Sequence, residues 1–590
     1  MKMTFMTTLA VFMTVLMAGQ SEAAPLQVYI LAGQSNMQGK ASSSTIPRMA
    51  LSPESEDLHD KMVDKDGKPR VFDDVYMVYF TGADGLRRRY SLDKTQGKFT
   101  VFNGQLGPEI GFGATMQEHV KQPILIIKSA WGGRDLRRQF RPPSAGVPAP
   151  DPREVEKWRE EGSYDESMSQ WKEMYKNGGH NYRLMRKLIN KVLADPGSYH
   201  PAYDKDDGYE IAGFVWFQGY NDAIAGSSDL YKATDDRPQF AAYSDLMADF
   251  IRDVRKEVDT PDMPFVIGVM GVGGTTDGPF QKAQAAPAQM PEFKGNVAAV
   301  LTGKYWDYEM EKYNPKAEIV RESRNRAHEL SKDGKKLPAI GWQSIGMPDS
   351  EEREWRYISI SPESGKTYED RCEGFFHYIV TDDTLKDWYK PGFDDSSWEK
   401  GKAPIGNGTA WGEKHRGKQQ TAVPPRSDWG DGDYLLARTT FEVEDLDFER
   451  YRLAILARLG YIIYLNGKEI NNFYWYHGPY YRTRRKGYTE NYGPDNLPLK
   501  KGTNVLAIYA NAKFQDGSTP PVVIDVDIEG LTKKGVKKVE AYEDSIMPRR
   551  EKIIGLAKSN APFHYNGSAY TYSLAGEAFA NALLDMKKPE

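Results

Sequence analysis

The chain has 590 residues, 39% of them hydrophobic and 27% charged, with a formal net charge of −5. That balance is ordinary for a globular protein, and a mildly acidic chain with no long basic run excludes nucleic acid as a partner. The single cysteine, Cys372, allows no intrachain disulfide, and the nine histidines show no His-x-His or His-Glu-x-x-His spacing, so neither a metal nor a cofactor is expected.

Residues 1–24 read as a secretory signal: Lys2, an apolar stretch from Phe5 to Met17, then Ser21-Glu22-Ala23-Ala24. The apolar stretch is short for a membrane span. The expectation is a secreted or periplasmic protein with no stable membrane insertion once the signal is removed. Val28-Tyr29-Ile30-Leu31-Ala32 is a continuous apolar run, as in a strand covered on both faces of a parallel sheet. It enters the turn Gly33-Gln34-Ser35-Asn36-Met37, whose serine would stand at the sheet's carboxyl edge, where open α/β sheets place ligands. Taken alone, this is equally a strand followed by a polar turn.

Ser42 to Asp74 is polar and proline-bearing and reads as a long surface loop, as does Arg141 to Ser163. Between them a second strand, Ile124 to Ser129, ends in Ala130-Trp131-Gly132-Gly133-Arg134. Asn181 to Leu193 and Ala242 to Val258 carry the helical period. A third strand, Ile211 to Phe217, ends in Gln218-Gly219-Tyr220-Asn221-Asp222, and a fourth, Phe265 to Met270, ends in Gly271-Val272-Gly273-Gly274. Each delivers small or polar groups to one edge.

From about Tyr357 to Leu531 helical signals vanish and short alternating runs appear, with Asn466-Gly467 as a two-residue hairpin signal. This predicts an all-β sandwich of jelly-roll type. Helix returns from Ser573 to Met586, just after a loop carrying His564. The simplest organisation is an insertion: an α/β domain over 25–355, a β-sandwich over 356–533, and the rest of the α/β domain over 534–590.

As a set, Gly33-Gln34-Ser35-Asn36-Met37, Trp131-Gly132-Gly133, Trp216-Phe217-Gln218-Gly219 with Asp222, and the late His564 resemble the SGNH-hydrolase superfamily, within it the sialate O-acetylesterase and acetylxylan esterase group. The resemblance implies a flavodoxin-like α/β/α sandwich. Gly392-Phe393-Asp394-Asp395-Ser396-Ser397-Trp398 looks like the galactose-binding-like modules attached to carbohydrate enzymes. The implied function is an exported serine esterase that removes acetyl groups from an acetylated polysaccharide or oligosaccharide. Ser35 would be the nucleophile and His564 the base. The N–H groups of Ser35 and Gly133 and the side-chain amide of Gln218 would hold the oxyanion, and Gln34, Asn36, Arg134 and Asn221 would touch substrate.

The superfamily often has an aspartate three residues before the histidine; here that position is Ala561. Asp222 is the first substitute to orient His564, and a main-chain carbonyl the second. Tyr220 replaces the glutamate of the family's Gln-Gly-Glu-x-Asp block. Arg134, Arg137, Arg138 and Arg141 form either a solvated basic face or a site for an acidic sugar. The aromatic run Phe473 to His477 with Tyr480-Tyr481 serves either domain packing or sugar stacking. Two other functions fit the same residues: a non-catalytic glycan-binding protein derived from an esterase, or a hydrolase of another ester.

Overall fold

The computed structural model describes residues 25–80, 98–99, 105–325, 341–346, 352–361, 368–372, 375–378, 383–410, 412, 414–415, 418–419, 422–473, 487–488, 497–512 and 520–587. The signal segment, Tyr474 to His477 and Tyr480-Tyr481 lie outside them.

Six parallel strands form the central sheet: β1 (Leu26–Gly33), β2 (Phe72–Phe80), β3 (Ile124–Ala130), β4 (Tyr209–Phe217), β5 (Phe265–Val269) and β6 (Val297–Leu301). Their spatial order is β2-β3-β1-β4-β5-β6, with Lys98–Phe99 added antiparallel at the β2 edge. The chain winds first to one side of β1 and then to the other, which makes the carboxyl end of β1 the topological switch point. Gly33 is in register with Ala130 of β3 and Phe217 of β4. The turns that follow these three strands therefore open side by side.

Both faces of the sheet are covered, which explains why β1 is apolar throughout. Val28, Ile30 and Ala32 pack towards helices His180–Leu193 and Ala241–Glu257. Tyr29 and Leu31 face the opposite layer, built from Glu109–His119 and Ala569–Lys587. This is the α/β/α sandwich. Ala569–Lys587 comes after the β-sandwich in the chain, yet it crosses Glu109–His119 at a near backbone contact. A Cβ on Gly576 would collide with Pro108 O, and one on Gly111 with Ser573 O.

The second unit is an antiparallel sandwich of jelly-roll type whose two sheets share one core, with Leu436, Ile462 and Ile508 on one side and Leu453, Val526 and Ile528 on the other. It begins earlier than the change of texture at Tyr357. Trp342–Ser344 already pairs with Glu529–Leu531, and Glu354–Ile360 is one continuous strand, so a boundary at 355/356 would cut it. Asn466 and Gly467, both at positive φ, turn strand Tyr461–Leu465 into Lys468–Phe473. In the Gly392–Trp398 segment, Asp395 accepts from the buried Arg438 (Nε–Oδ2 2.7 Å) and Trp398 enters the core, so this motif clamps the sandwich.

The two proline-bearing segments are not plain loops. Ser42 to Asp74 contains a 3-10 stretch, Ser43–Leu51, and a helix, Pro53–Met62. Arg141 to Ser163 contains helix Pro152–Glu160, started by a capping box between Asp151 and Glu154, with proline at the first helical position where no N–H is needed. Helix Tyr164–Tyr175 follows.

Candidate active site

Ser35 opens a single helical turn, Ser35–Gln38, directly beyond β1. Gly33 has φ 155°, and a Cβ there would strike Phe217 O, so only glycine lets β1 and β4 run this close before the turn. The Gly132–Gly133 turn passes over the serine: a Cβ on Gly132 would sit 3.7 Å from Ser35 Cβ. Gly133, at φ 71°, is exposed, and nothing lies within 4 Å of where its Cβ would point. Ser35, itself buried, is thus roofed by glycine on one side.

Beneath the turn lies a buried ion pair. Lys128 Nζ reaches Glu109 at 2.7 Å and donates to Gln38 O at 3.0 Å, and it lies over the Tyr79 ring. Burial lowers the Lys128 pKa, and Glu109 opposes that shift. The ammonium satisfies the carbonyl at the end of the turn, which a four-residue helix cannot do for itself.

Several polar residues expected to meet substrate or oxyanion are sealed inside. Gln34 is 1% exposed, and its Oε1 accepts from Gln218 Nε2 (3.2 Å) and from the N–H groups of Gly219 (3.1 Å) and Asn221 (3.5 Å). Gln218 is wholly buried. Its Nε2 faces three acceptors, Gln34 Oε1, Arg134 O (3.0 Å) and Asp222 Oδ2 (2.6 Å), while Tyr243 OH donates to its Oε1. An amide nitrogen has two hydrogens, so Gln218 has none left for an oxyanion. Asn36, also wholly buried, donates to Phe563 O (3.1 Å) and accepts from Tyr572 OH (2.7 Å). It ties the Ser35 turn to the histidine loop. Gln34, Asn36 and Gln218, expected to meet substrate or oxyanion, are thus buried and engaged with one another, with Asp222 and with the histidine loop.

The Asp222 carboxylate is engaged elsewhere: it takes hydrogen bonds from Leu136 N (2.9 Å), Arg137 N (3.3 Å), Gln218 Nε2 and Tyr231 OH. Burial, then the nearby Asp135, raise its pKa to about 6, and the donors hold it down. It anchors the 134–141 loop. The basic cluster is tied into the same loop: Arg137 pairs with Asp135, and Arg141 caps the carbonyls of Arg137, Ala145 and Gly146. Arg134 is half-buried; its carbonyl is committed to Gln218. Asn221 is half-buried beside Tyr220, its N–H directed to Gln34.

His564 stands on the opposite loop, and its ring meets a residue that pattern reading passed over. Nδ1 lies 2.8 Å from Asn560 Oδ1. The same oxygen accepts Ala561 N–H at 2.8 Å, and a main-chain N–H can only donate, so the amide orientation is fixed. Asn560 Oδ1 therefore requires a hydrogen on Nδ1 and leaves Nε2 with its lone pair free. Neither Asp222 nor a main-chain carbonyl fills this place. Burial, then Lys40, lower the His564 pKa to about 4, so the ring is neutral at ordinary pH.

The loop itself is rigidly bonded. Ser559 N and Asn560 N donate to Asn566 O, and Asn566 N to Ala561 O, with Tyr565 and Asn566 both in the left-handed region. Tyr565 OH accepts from Gly271 N (2.9 Å) and meets Thr302 Oγ1 (2.6 Å), which pins the loop to the ends of β5 and β6. Ser42 N donates to Ser559 Oγ (3.0 Å) from the segment that follows the Ser35 turn.

Residues 25–309 match the family described as carbohydrate esterase, sialic acid-specific acetylesterase. No curated protein matches the chain. Among solved structures, a protein from Arabidopsis thaliana is similar at 16% identity, covering 47% of this chain and 85% of that one, with a TM-score of 0.26. A carbohydrate acetylesterase from Xanthomonas citri is similar at 10% identity, covering 84% and 78%, with a TM-score of 0.25. A β-glycosidase from Bacteroides vulgatus is similar at 13% identity over 31% of this chain and 20% of that one, with a TM-score of 0.17.

Proposed function

Residues 25–309 belong to the sialic acid-specific acetylesterase family of carbohydrate esterases, and from that premise we propose that this enzyme removes O-acetyl groups from glycans by a Ser35–His564–Asn560 mechanism. Ser35 Oγ attacks the acetyl carbonyl while His564 Nε2 takes its proton. The oxyanion is received by the main-chain N–H groups of Ser35 and Gly133. The imidazolium then returns the proton to the departing sugar hydroxyl, and water, activated by the same nitrogen, releases acetate from the acyl-enzyme. Asn560 holds the productive tautomer, as asparagine does in the Cys-His-Asn variant of the triad.

One observation supports the reading above all others: Asn36, next to Ser35, is hydrogen-bonded to Phe563, next to His564. Nucleophile and base are thereby carried by two directly bonded segments at the switch point. Substrate is an acetylated oligosaccharide or polysaccharide met outside the cell, after removal of residues 1–24.

The test is Ser35→Ala. Turnover of acetylated sugars should fall by about 10⁴-fold or more, in line with loss of a serine nucleophile elsewhere, with an unchanged melting temperature. A pure, folded Ser35→Ala protein that keeps its turnover would remove Ser35 from the mechanism.

A further inference from the structure

Beside His564 the surface turns apolar in a way the acyl-transfer chemistry does not use. The Phe563 ring, 37% exposed, lies stacked on Tyr220 with centroids 5.1 Å apart and planes 26° from parallel. It also meets the His564 ring edge-on at 4.4 Å. Tyr220 begins the helical turn after β4, and Ile224 N–H bonds back to Tyr220 O, so the two side chains fall on one face one turn apart. Ile224 is 64% exposed. An aromatic pair continued by a bare isoleucine gives a strip that starts at the base and runs away from it. Glycines at positive φ border the neighbourhood: the exposed Gly133 and Gly273 have open space where a Cβ would stand.

Resting on the esterase reading above, we propose that Phe563, Tyr220 and Ile224 form the ledge on which a sugar ring of the acetylated glycan lies. The ring's apolar C–H face rests on the aromatic pair, and its acetylated oxygen is held towards His564. The position follows from the reaction. The proton taken from Ser35 must return to the sugar oxygen, so the sugar leaves from the histidine's side, and the first surface beyond His564 there is Phe563. A flat hydrocarbon face against an aromatic face removes apolar surface from water on both partners. The strip selects for a ring next to the ester and is indifferent to the acetyl group.

Steady-state kinetics on two acetate esters separate this from a structural role: glucose pentaacetate, which has a ring, and glyceryl triacetate, which has none. Phe563→Ala leaves the Asn36 bond to the main-chain carbonyl in place. It should raise KM for glucose pentaacetate by about tenfold, with kcat within about twofold, and leave kcat/KM for glyceryl triacetate nearly unchanged. Tyr220→Ala should do the same. Ile224→Ser, on the turn after β4 and exposed, should give a smaller rise confined to the ring substrate. Equal losses on both esters would mean that the aromatics act only through His564, and unchanged KM values would mean that no ring lies there. Either result overturns the ledge while Ser35→Ala remains inactive. Turnover surviving in Ser35→Ala would instead remove the serine mechanism, leaving the dependence on the ring to be read separately.

Discussion

The two sides of the site reach the same sheet edge by opposite means. On the nucleophile side, side chains do the holding: Gln34, Asn36, Gln218, Asp222, Lys128 and Glu109 are buried and bonded, and all but Glu109, which opens a helix, sit on strands or in the turns after them. On the histidine side the main chain does most of it, in a loop with two left-handed residues and a single carboxamide, Asn560, on the ring. Where a site grows from strand ends, buried polar side chains can be spent on rigidity. Where it grows from a loop, backbone hydrogen bonds must supply it. Damage to the first should appear as lost stability, and damage to the second as lost turnover.

The largest expected effect lies on the nucleophile side. Lys128→Met strands Glu109 without a counter-charge in the core and should cost about 3–5 kcal/mol, read as a lower urea midpoint at constant m. Replacing both, Lys128→Met with Glu109→Leu, should cost clearly less. A double variant as unstable as the single would break the contrast. Next is Asn560→Ala, which should lower kcat by about 10²-fold, short of the roughly 10⁴-fold seen when a charged partner's tautomer is lost, with little change in melting temperature. Full activity in that variant would show that the loop backbone alone orients His564.

A smaller effect is expected from Asp222→Asn. An amide presents hydrogens to donors that now meet a carboxylate, at about 2 kcal/mol of stability. The pH–rate profile of the surviving fold should not move. The smallest is a shift in that profile. His564 must be neutral to accept a proton, so kcat/KM should hold down to mildly acid pH and fall as pH drops through about 4. Stability should follow the same sign: a histidine pKa depressed in the fold loses its contribution as pH falls from about 6.5 towards 4. Asn560→Asp should raise the acid limb by about one to two pH units. A limb that stays put would mean that residue 560 is not the ring's electrostatic partner.

The architecture was legible because its signals are one-dimensional. Apolar runs ending in Gly33, Gly132-Gly133 and Gly219 announce strands that stop at a common edge, and the hairpin signal Asn466-Gly467 announces the sandwich. What burial decides was not legible. Gln34, Asn36, Gln218 and Asp222 carry the same donors and acceptors whether they face substrate or core, and only the folded neighbours choose between these roles. Asn560 did leave a trace, an Asn-Ala-Pro turn opening the histidine loop, but the spacing sought was three residues rather than four. The capping box at Asp151 and Glu154 was likewise readable beneath the prolines that suggested a loop.

The bond between Asn36 and Phe563 joins residues 527 apart in the chain. A growing polypeptide holding Ser35 and both glycine turns would already have the nucleophile and no base to activate it. The whole β-sandwich lies between them in the chain, so helix Ala569–Lys587 can cross Glu109–His119 and bring His564 home only after the sandwich has been made. A chain that stops within the sandwich lacks His564 and should be chemically silent even when its sheet is formed.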